Sequence, residues 1–165
     1  MERFIIEGGS PLSGTVTPEG NKNEALPCLM ASLLADTPLT LKRIPQIKDV
    51  LTSCKILEDL GCSITWEDEN TLTIDSKNCV FKRPDSKLCS QIRASILLIG
   101  PMLARFGKLQ LPPPGGDVIG ARKVDVHIEC LEALGAELEM SDAILGRVEK
   151  LTGCEIHLDE PSVTG

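Results

Sequence analysis

One segment of the 165-residue chain concentrates residues suited to proton transfer and anion binding. It runs from Pro112 to Arg122 with the sequence PPPGGDVIGAR and joins a predicted strand to a predicted helix. Its prolines stiffen one end, and its glycines permit backbone angles and close approaches that other residues forbid. Asp117 at the tip offers a proton, and Arg122 at the base offers a clamp for an anion. The alternative is a surface loop in which Asp117 only forms the turn.

Lys22 and Asn23 form a second candidate site, because they directly precede a predicted apolar helix over Ala25–Ala35. A lysine adds positive charge where the helix dipole is already positive, which is unfavourable unless an anion binds there. Lys22 is therefore a candidate phosphate ligand. The alternative is a solvated lysine beside an asparagine that caps the helix.

Arg93 is the third candidate, since it lies in a predicted helix, Ile92–Ala104, that is otherwise apolar. A buried arginine needs a partner of opposite charge. That partner would be either a substrate phosphate or a protein carboxylate such as Asp85 or Glu129.

The elements that must position these residues form an internal repeat. Asp49 leads into a helical pattern that ends before Gly61, and Asp125 leads into a matching pattern that ends before Gly135. Gly135 lies 74 positions after Gly61. Each glycine stands where a left-handed helix C-cap is usual, and short strands follow. An apolar helix and another strand precede each pattern. We therefore predict one helix–strand–helix–strand–strand module used twice.

The fold class follows from the faces of these elements. The helices Ala25–Ala35 and Ile92–Ala104 are apolar nearly all round, which predicts that they are buried. The strands alternate polar and apolar residues, which predicts sheets with one face in water. The sequence thus indicates an α/β fold of repeated small units, with helices inside and sheets outside.

Composition excludes some classes of protein. Seventeen Lys and Arg against 24 Asp and Glu give a net charge of −7, and aromatic residues make up 2%. Nucleic-acid binding needs the opposite charge balance, so we predict no nucleic-acid partner. The longest apolar run, Ala94–Ala104, is about half of a membrane span, and no signal peptide is visible. We predict a cytoplasmic protein without a membrane partner.

The metal-binding residue types show no metal-site spacing. His127 and His157 lie far apart, and the seven cysteines contain no CxxC pair. Most cysteines stand among Leu and Ile, so we predict small buried side chains with reduced thiols. We expect no metal and no cofactor.

Three stretches together carry a family resemblance: KNEALP from Lys22, IRAS from Ile92 and PGGDVIGARKVDVH from Pro114. They resemble the UDP-N-acetylglucosamine enolpyruvyl transferases, which transfer the enolpyruvyl group of phosphoenolpyruvate in the first committed step of peptidoglycan synthesis. The resemblance covers the whole chain. It implies an inside-out α/β barrel with two similar domains, each of three small α/β units, of which this chain contains most of one.

The resemblance also implies roles for individual residues. Lys22 would contact the phosphate of phosphoenolpyruvate and Asn23 the sugar nucleotide, while Arg93 and Arg122 would hold phosphate and carboxylate groups. The nucleotide side would be contacted by Asp125, His127, Ser162 and Val163. Departures from the family pattern near these residues are Lys123, Glu160-Pro161 and Thr164.

Asp117 stands where most members of the family have the cysteine that donates a proton. A free aspartic acid has a pKa of about 3.9, so at neutral pH only about one in a thousand is protonated. Asp117 can serve as general acid only if the closed site raises its pKa. The replacement also implies resistance to fosfomycin, which alkylates the loop cysteine.

The resemblance predicts a division of the chain. Residues 1–20 would form strands, around Arg3–Ile6 and Thr15–Thr17, that pack on a C-terminal domain. Residues 21–165 would form two repeat units and the start of a third, with a strand over Glu155–Leu158. We expect a truncated chain that alone does not turn over substrate.

Two other functions stay open at this stage. The first is transfer of the same group to a shikimate phosphate, which an assay with both acceptors distinguishes. The second is a truncated, non-catalytic binding module, which a longer reading frame beyond Gly165 would argue against.

Overall fold

Each repeat unit folds as a three-stranded antiparallel sheet with helices against one face. The computed structural model describes residues 3–9, 11–116 and 124–157. The first unit consists of α1 (Lys22–Ala31), a 3₁₀ turn (Ser32–Leu34), β1 (Leu39–Lys42), α2 (Lys48–Asp59), β2 (Ser63–Trp66) and β3 (Thr71–Asp75). The second consists of α3 (Ser86–Cys89), a 3₁₀ helix (Arg93–Leu98), α4 (Ile99–Phe106), β4 (Lys108–Leu111), α5 (Asp125–Ala133), β5 (Glu137–Met140) and β6 (Ile144–Arg147).

The two sheets have the same topology. Their strand orders are β1-β3-β2 and β4-β6-β5, so the last strand of each unit lies in the middle of its sheet. Leu39 pairs with Ile74 in the first sheet, and Lys108 pairs with Arg147 in the second. This equivalence confirms the predicted module and its duplication.

One face of the first sheet is packed and the other is wet, as predicted. Leu72 and Ile74 of β3 are buried beneath the helices. On the opposite face the hydroxyl groups of Thr40 and Thr73 are 2.9 Å apart and form a cross-strand hydrogen bond. The alternation of polar and apolar residues along the strands is therefore the alternation of the two faces.

The prediction that the apolar helices are buried is confirmed for one side of α1. Leu26, Leu29 and Met30 lie in the core, but Pro27 and Ala31 are exposed. Residues three or four apart share one helix face. No element in the described part of the chain covers this face, so α1 is buried on one side only.

The predicted helix Ile92–Ala104 is divided into a 3₁₀ helix followed by α4. Pro101 lies in the first turn of α4, where a proline is tolerated without loss because the N–H groups there have no intrahelical partner. Ser95 supports the preceding turn, since its hydroxyl donates to the carbonyls of Cys89 and Ile92 at 3.1 and 3.0 Å. The sequence marks the apolar stretch correctly and its helix type incorrectly.

The two predicted glycine C-caps are confirmed and have the same geometry. Gly61 and Gly135 have φ of +97° and +100°. After α2, the N–H of Gly61 donates to Glu58 and that of Cys62 to Leu57; the same pattern closes α5, through Gly135 to Glu132 and Ala136 to Leu131. These paired bonds define a Schellman motif, and its positive φ favours glycine.

The two glycines differ in their surroundings, which predicts different costs of substitution. A Cβ on Gly61 would lie 2.9 Å from the carbonyl oxygen of Asn78, whereas one on Gly135 would meet nothing closer than Lys150 at 3.7 Å. Gly135→Ala should lower the free energy of unfolding by about 1 to 2 kcal/mol through backbone strain alone. Gly61→Ala should lose about 1 to 3 kcal/mol more through overlap. Urea unfolding of the two full-length variants measures the difference, and equal losses would contradict it.

The N-terminal strands are expected to pack on a C-terminal domain, which stays a prediction, while the strand expected over Glu155–Leu158 is not formed at residues 155–157. Residues 3–9 and 11–20 contain no strand, and Phe4, Ile6 and Val16 are 97, 87 and 90% exposed. Residues 155–157 are also irregular. A strand needs a neighbour to accept its backbone hydrogen bonds, and none of the described strands pairs with these segments. Among the described helices, none is both long and apolar enough to cross a membrane.

Candidate functional site

Lys22 begins α1, three residues earlier than the sequence pattern predicted. Asn21 is the N-cap residue, and its side-chain oxygen accepts a hydrogen bond from the backbone N–H of Asn23 at 2.7 Å. This satisfies one of the N–H groups that a helix leaves without partners at its start. The expected asparagine cap is therefore confirmed and is Asn21, which places Lys22 and Asn23 in the first turn.

Lys22 makes an ion pair that joins the N-termini of two helices. Its ammonium lies 2.9 Å from Oδ2 of Asp49, in the first turn of α2. The side chains are 47 and 36% exposed, so water screens the pair and it contributes little to stability. An ammonium has three donors, and this contact uses one. Lys22 is thus held in place while it keeps donors for an anion.

Asp49 is a residue of this site that the sequence reasoning did not assign to it. The repeat marked Asp49 only as the start of a helix, equivalent to Asp125. The available signal was its position in the first turn of α2, where a carboxylate is favourable and can also receive a cation from a neighbouring helix.

Asn23 has a second feature that suits it to ligand binding. Pro27 lies four residues further along α1 and has no N–H. The helix therefore lacks the bond that residue 27 would otherwise donate to the carbonyl of Asn23. Asn23 is exposed, so both its side chain and this carbonyl can face a polar ligand.

The Pro/Gly segment is held against the start of the second unit. The N–H of Gly115 donates to the carbonyl of Cys89 at 3.1 Å. A Cβ on Gly115 would lie 1.6 Å from the carbonyl oxygen of Ser90, and one on Gly116, whose φ is +99°, would lie 2.9 Å from the backbone nitrogen of Arg93. Neither position leaves room for a side chain. The glycines therefore serve close approach, as the sequence predicted.

Arg93 is half-buried at the first position of the 3₁₀ helix that follows Ile92. The helix α1, which begins with Lys22, packs against this 3₁₀ helix. The close contact of Gly116 with the backbone of Arg93 brings this arginine to the Pro/Gly segment. Asp85, one of its two suggested partners, accepts hydrogen bonds from the N–H groups of Lys87 and Leu88 as the cap of α3.

Asp125 and His127 lie in the first turn of α5 and are exposed. His127 lines a mostly apolar groove of about 290 Å³ with Val126, Ile96 and Leu97. The groove therefore connects the first turn of α5 with the 3₁₀ helix of Arg93.

A second groove of about 290 Å³ lies beside the start of α1. It is lined by Glu19, Asn21, Glu24 and the end of β1. Arg43, also in its lining, has φ of +60°, and its guanidinium donates to the carbonyl of Pro18 at 3.1 Å. Arg43 thus ties the segment before Asn21 to the end of β1.

Several predicted site residues lie outside the described residues. They are Asp117, Arg122, Ser162 and Val163. In the described ranges, no group of three or more His, Cys, Asp or Glu side chains could hold a metal ion. All seven cysteines are free thiols; Cys54, Cys62 and Cys89 are buried, and Cys154 is exposed, contrary to its predicted burial.

Curated relatives are similar in sequence to this chain along nearly its whole length. It is 48% identical to UDP-N-acetylglucosamine 1-carboxyvinyltransferase of Bradyrhizobium diazoefficiens, over 98% of this chain and 38% of the relative. It is 45% identical to the protein of the same name from Lawsonia intracellularis, over 100% of this chain and 39% of the relative. The chain therefore spans less than two fifths of the length of these curated relatives.

Solved structures share the fold. The enolpyruvyl transferase NikO from Streptomyces tendae superposes with a TM-score of 0.75 at 20% identity, over 90% of this chain and 33% of that one. An EPSP synthase from Acinetobacter baumannii superposes with a TM-score of 0.68 at 19% identity, over 91% of this chain and 35% of that one. These matches confirm the predicted α/β fold class, of which this chain covers a part.

The sequence also matches a family profile, described as EPSP synthase (3-phosphoshikimate 1-carboxyvinyltransferase), over residues 6–165. The match includes both repeat units and every candidate site residue named above. Fold, duplicated module and sequence therefore agree, and the chain belongs to the EPSP synthase family.

Proposed function

We propose that the whole protein transfers the enolpyruvyl group of phosphoenolpyruvate to UDP-N-acetylglucosamine and releases phosphate. The observation that carries the proposal is the close packing of Gly115 and Gly116 against Ser90 and Arg93. It ties the Pro/Gly segment, which leads to Asp117, to an arginine suited to anion binding. The names of the curated relatives support this choice of substrates.

The substrates demand a concentration of positive charge. Phosphoenolpyruvate carries a phosphate and a carboxylate, and the nucleotide carries two more phosphates. We assign Lys22 to the phosphate of phosphoenolpyruvate and Arg93 and Arg122 to the anionic groups of both substrates. Such local cations serve binding and transition-state stabilisation even in a protein with a net charge of −7.

Asn23, with its exposed amide and its carbonyl released from the α-helical ladder, is assigned to the sugar nucleotide. Asp125 and His127, exposed at the start of α5, are assigned to the nucleotide side, together with Ser162 and Val163. The groove beside His127 supports this assignment, since it offers an apolar wall next to polar groups.

The reaction requires one acid and two steps. Asp117, as a carboxylic acid, donates its proton to the methylene carbon of phosphoenolpyruvate, which leaves an oxocarbenium-like centre. A hydroxyl group of the acceptor sugar adds to this centre and loses its proton to solvent. The Asp117 carboxylate takes back one methyl proton as the C–O bond to phosphate breaks, which restores the double bond. The cations neutralise the phosphate that departs.

A second candidate function is transfer of the same enolpyruvyl group to a different acceptor. The family description supports 3-phosphoshikimate as the alternative acceptor. Identity of 44 to 48% to UDP-N-acetylglucosamine 1-carboxyvinyltransferases favours the sugar nucleotide.

Phosphate release by the full-length protein tests the proposal. With phosphoenolpyruvate and UDP-N-acetylglucosamine we expect turnover, and with 3-phosphoshikimate we expect none. Turnover with 3-phosphoshikimate alone would assign the other acceptor. No turnover with either, in a folded protein that still binds the nucleotide, would make it a binding module.

A further inference from the structure

Two cysteines from separate parts of the first unit meet at the far end of α2. The sulfur atoms of Cys62 and Cys79 are 2.8 Å apart, although 17 positions separate the residues in sequence. Cys62 is 7% exposed and Cys79 is half-buried. A disulfide bond is about 2.05 Å long, so the sulfurs need to approach by roughly 0.8 Å more.

The backbone around the pair is held in place independently of the thiols. The N–H of Val80 donates to the carbonyl of Leu60 at 3.2 Å. Gly61 lies against the backbone of Asn78, where a Cβ would come within 2.9 Å of the carbonyl oxygen. Residues 60–62 and 78–80 therefore form a backbone clasp, and bond formation needs little movement of the chain.

The second unit contains the same clasp without thiols. There the N–H of Thr152 donates to the carbonyl of Leu134 at 2.8 Å. The residues at the positions of Cys62 and Cys79 are Ala136 and Leu151, and both pack against the core. The clasp thus belongs to the repeat architecture, whereas the pair of thiols occurs only in the first unit.

We propose that Cys62 and Cys79 are a modification site at which a hydroperoxide forms an intramolecular disulfide. The site lies about 15 Å along α2 from Asp49, the partner of Lys22, so it is separate from the proposed substrate site. This proposal does not depend on the proposed function.

The chemistry balances with one hydroperoxide. Cys79 is the more exposed of the two, and its thiolate attacks one peroxide oxygen, which breaks the O–O bond and gives a sulfenic acid and hydroxide. Burial, and then the hydrogen bond with Cys79, raises the pKa of Cys62, which therefore remains a thiol. Its sulfur then attacks the sulfenic sulfur, the S–O bond breaks, and its proton leaves with the hydroxide as water. The sulfurs lose two electrons, which the hydroperoxide gains.

Peptide mapping of the full-length protein after exposure to hydrogen peroxide tests the proposal. Trypsin cuts after Lys55, Lys77 and Lys82, so the two cysteines fall in adjacent peptides, 56–77 and 78–82. We expect these peptides to remain linked under non-reducing conditions, with loss of two hydrogen atoms and release by a phosphine reductant. Unlinked 56–77 and 78–82 at a dose that oxidises exposed Cys154 would overturn the proposal.

The second unit supplies the control variant, Cys62→Ala with Cys79→Leu. Because Ala and Leu fill the same clasp in the second unit, the double variant is expected to fold. Peroxide should raise the unfolding midpoint of the parent protein by on the order of 5 °C, since the bond closes a loop in the unfolded chain. The double variant should show no rise. An equal rise in both proteins would place the oxidation elsewhere and refute the assignment.

Discussion

Replacing Lys22 by alanine in the full-length protein is expected to lower kcat/KM for phosphoenolpyruvate by about 100- to 1,000-fold. The structure shows Lys22 in the first turn of α1, where its charge is unfavourable to the helix and is held by Asp49. The loss should therefore come from the substrate anion that the lysine no longer neutralises. Steady-state kinetics at fixed nucleotide concentration measures it.

Lys82→Ala is the matched control for this prediction. Lys82 forms an ion pair with Asp59 at 2.7 Å, and its side chain is 43% exposed, close to the 47% of Lys22. Both changes should lower the free energy of unfolding by about 1 kcal/mol or less, because exposed pairs contribute little. Only Lys22→Ala should lower kcat/KM. If the two variants keep equal activity, Lys22 is a solvated lysine without a role in binding.

The second large effect is expected at Asp117. Asp117→Asn removes the transferable proton at nearly constant size, so kcat should fall by about 100- to 10,000-fold. For the same reason kcat of the parent protein should decrease at high pH, where the carboxylic acid form is depleted. Pre-steady-state and steady-state assays of the variant measure the loss, and full activity of Asp117→Asn would reject the general-acid role.

Asp117→Cys is the complementary variant. It should remain active and become sensitive to a thiol-directed epoxide of the fosfomycin type, whereas the parent protein should resist it, because a carboxylate is the weaker nucleophile. The native cysteines should not confer sensitivity, because none of them lies on the Pro/Gly segment. Burial raises the pKa of Cys54 and of Cys89 to about 11, with smaller contributions from Glu58 and Asp85, so both stay protonated at neutral pH. Rapid inactivation of the parent with label on Asp117 would contradict this prediction.

The features that the sequence predicted correctly depend on residues that lie close together in the sequence. The duplicated module follows from periodicity, and both C-caps follow from a glycine after the last helical leucine. The cap at Asn21 and the close approach at Gly115 and Gly116 follow from residue type. Local backbone sterics and hydrogen bonds within a few residues decide these features, so the pattern of residues is sufficient to predict them.

The errors arise where the packing of a whole element matters. α1 looks apolar on every side, yet Pro27 and Ala31 are exposed, because burial depends on which elements lie beside a helix. The strand expected over Glu155–Leu158 is not formed at residues 155–157, because a strand exists only when a neighbour accepts its hydrogen bonds.

The sequence by itself determined the repeat, the fold class and the residues suited to anion binding and proton transfer. Only the tertiary structure decided which side chains from separate elements meet: Lys22 with Asp49 across 27 positions, and Cys62 with Cys79 across 17. Periodicity assigns a residue to a face of its own helix or strand. The distance between side chains on different elements is set by how those elements pack, and no local pattern in the sequence specifies it.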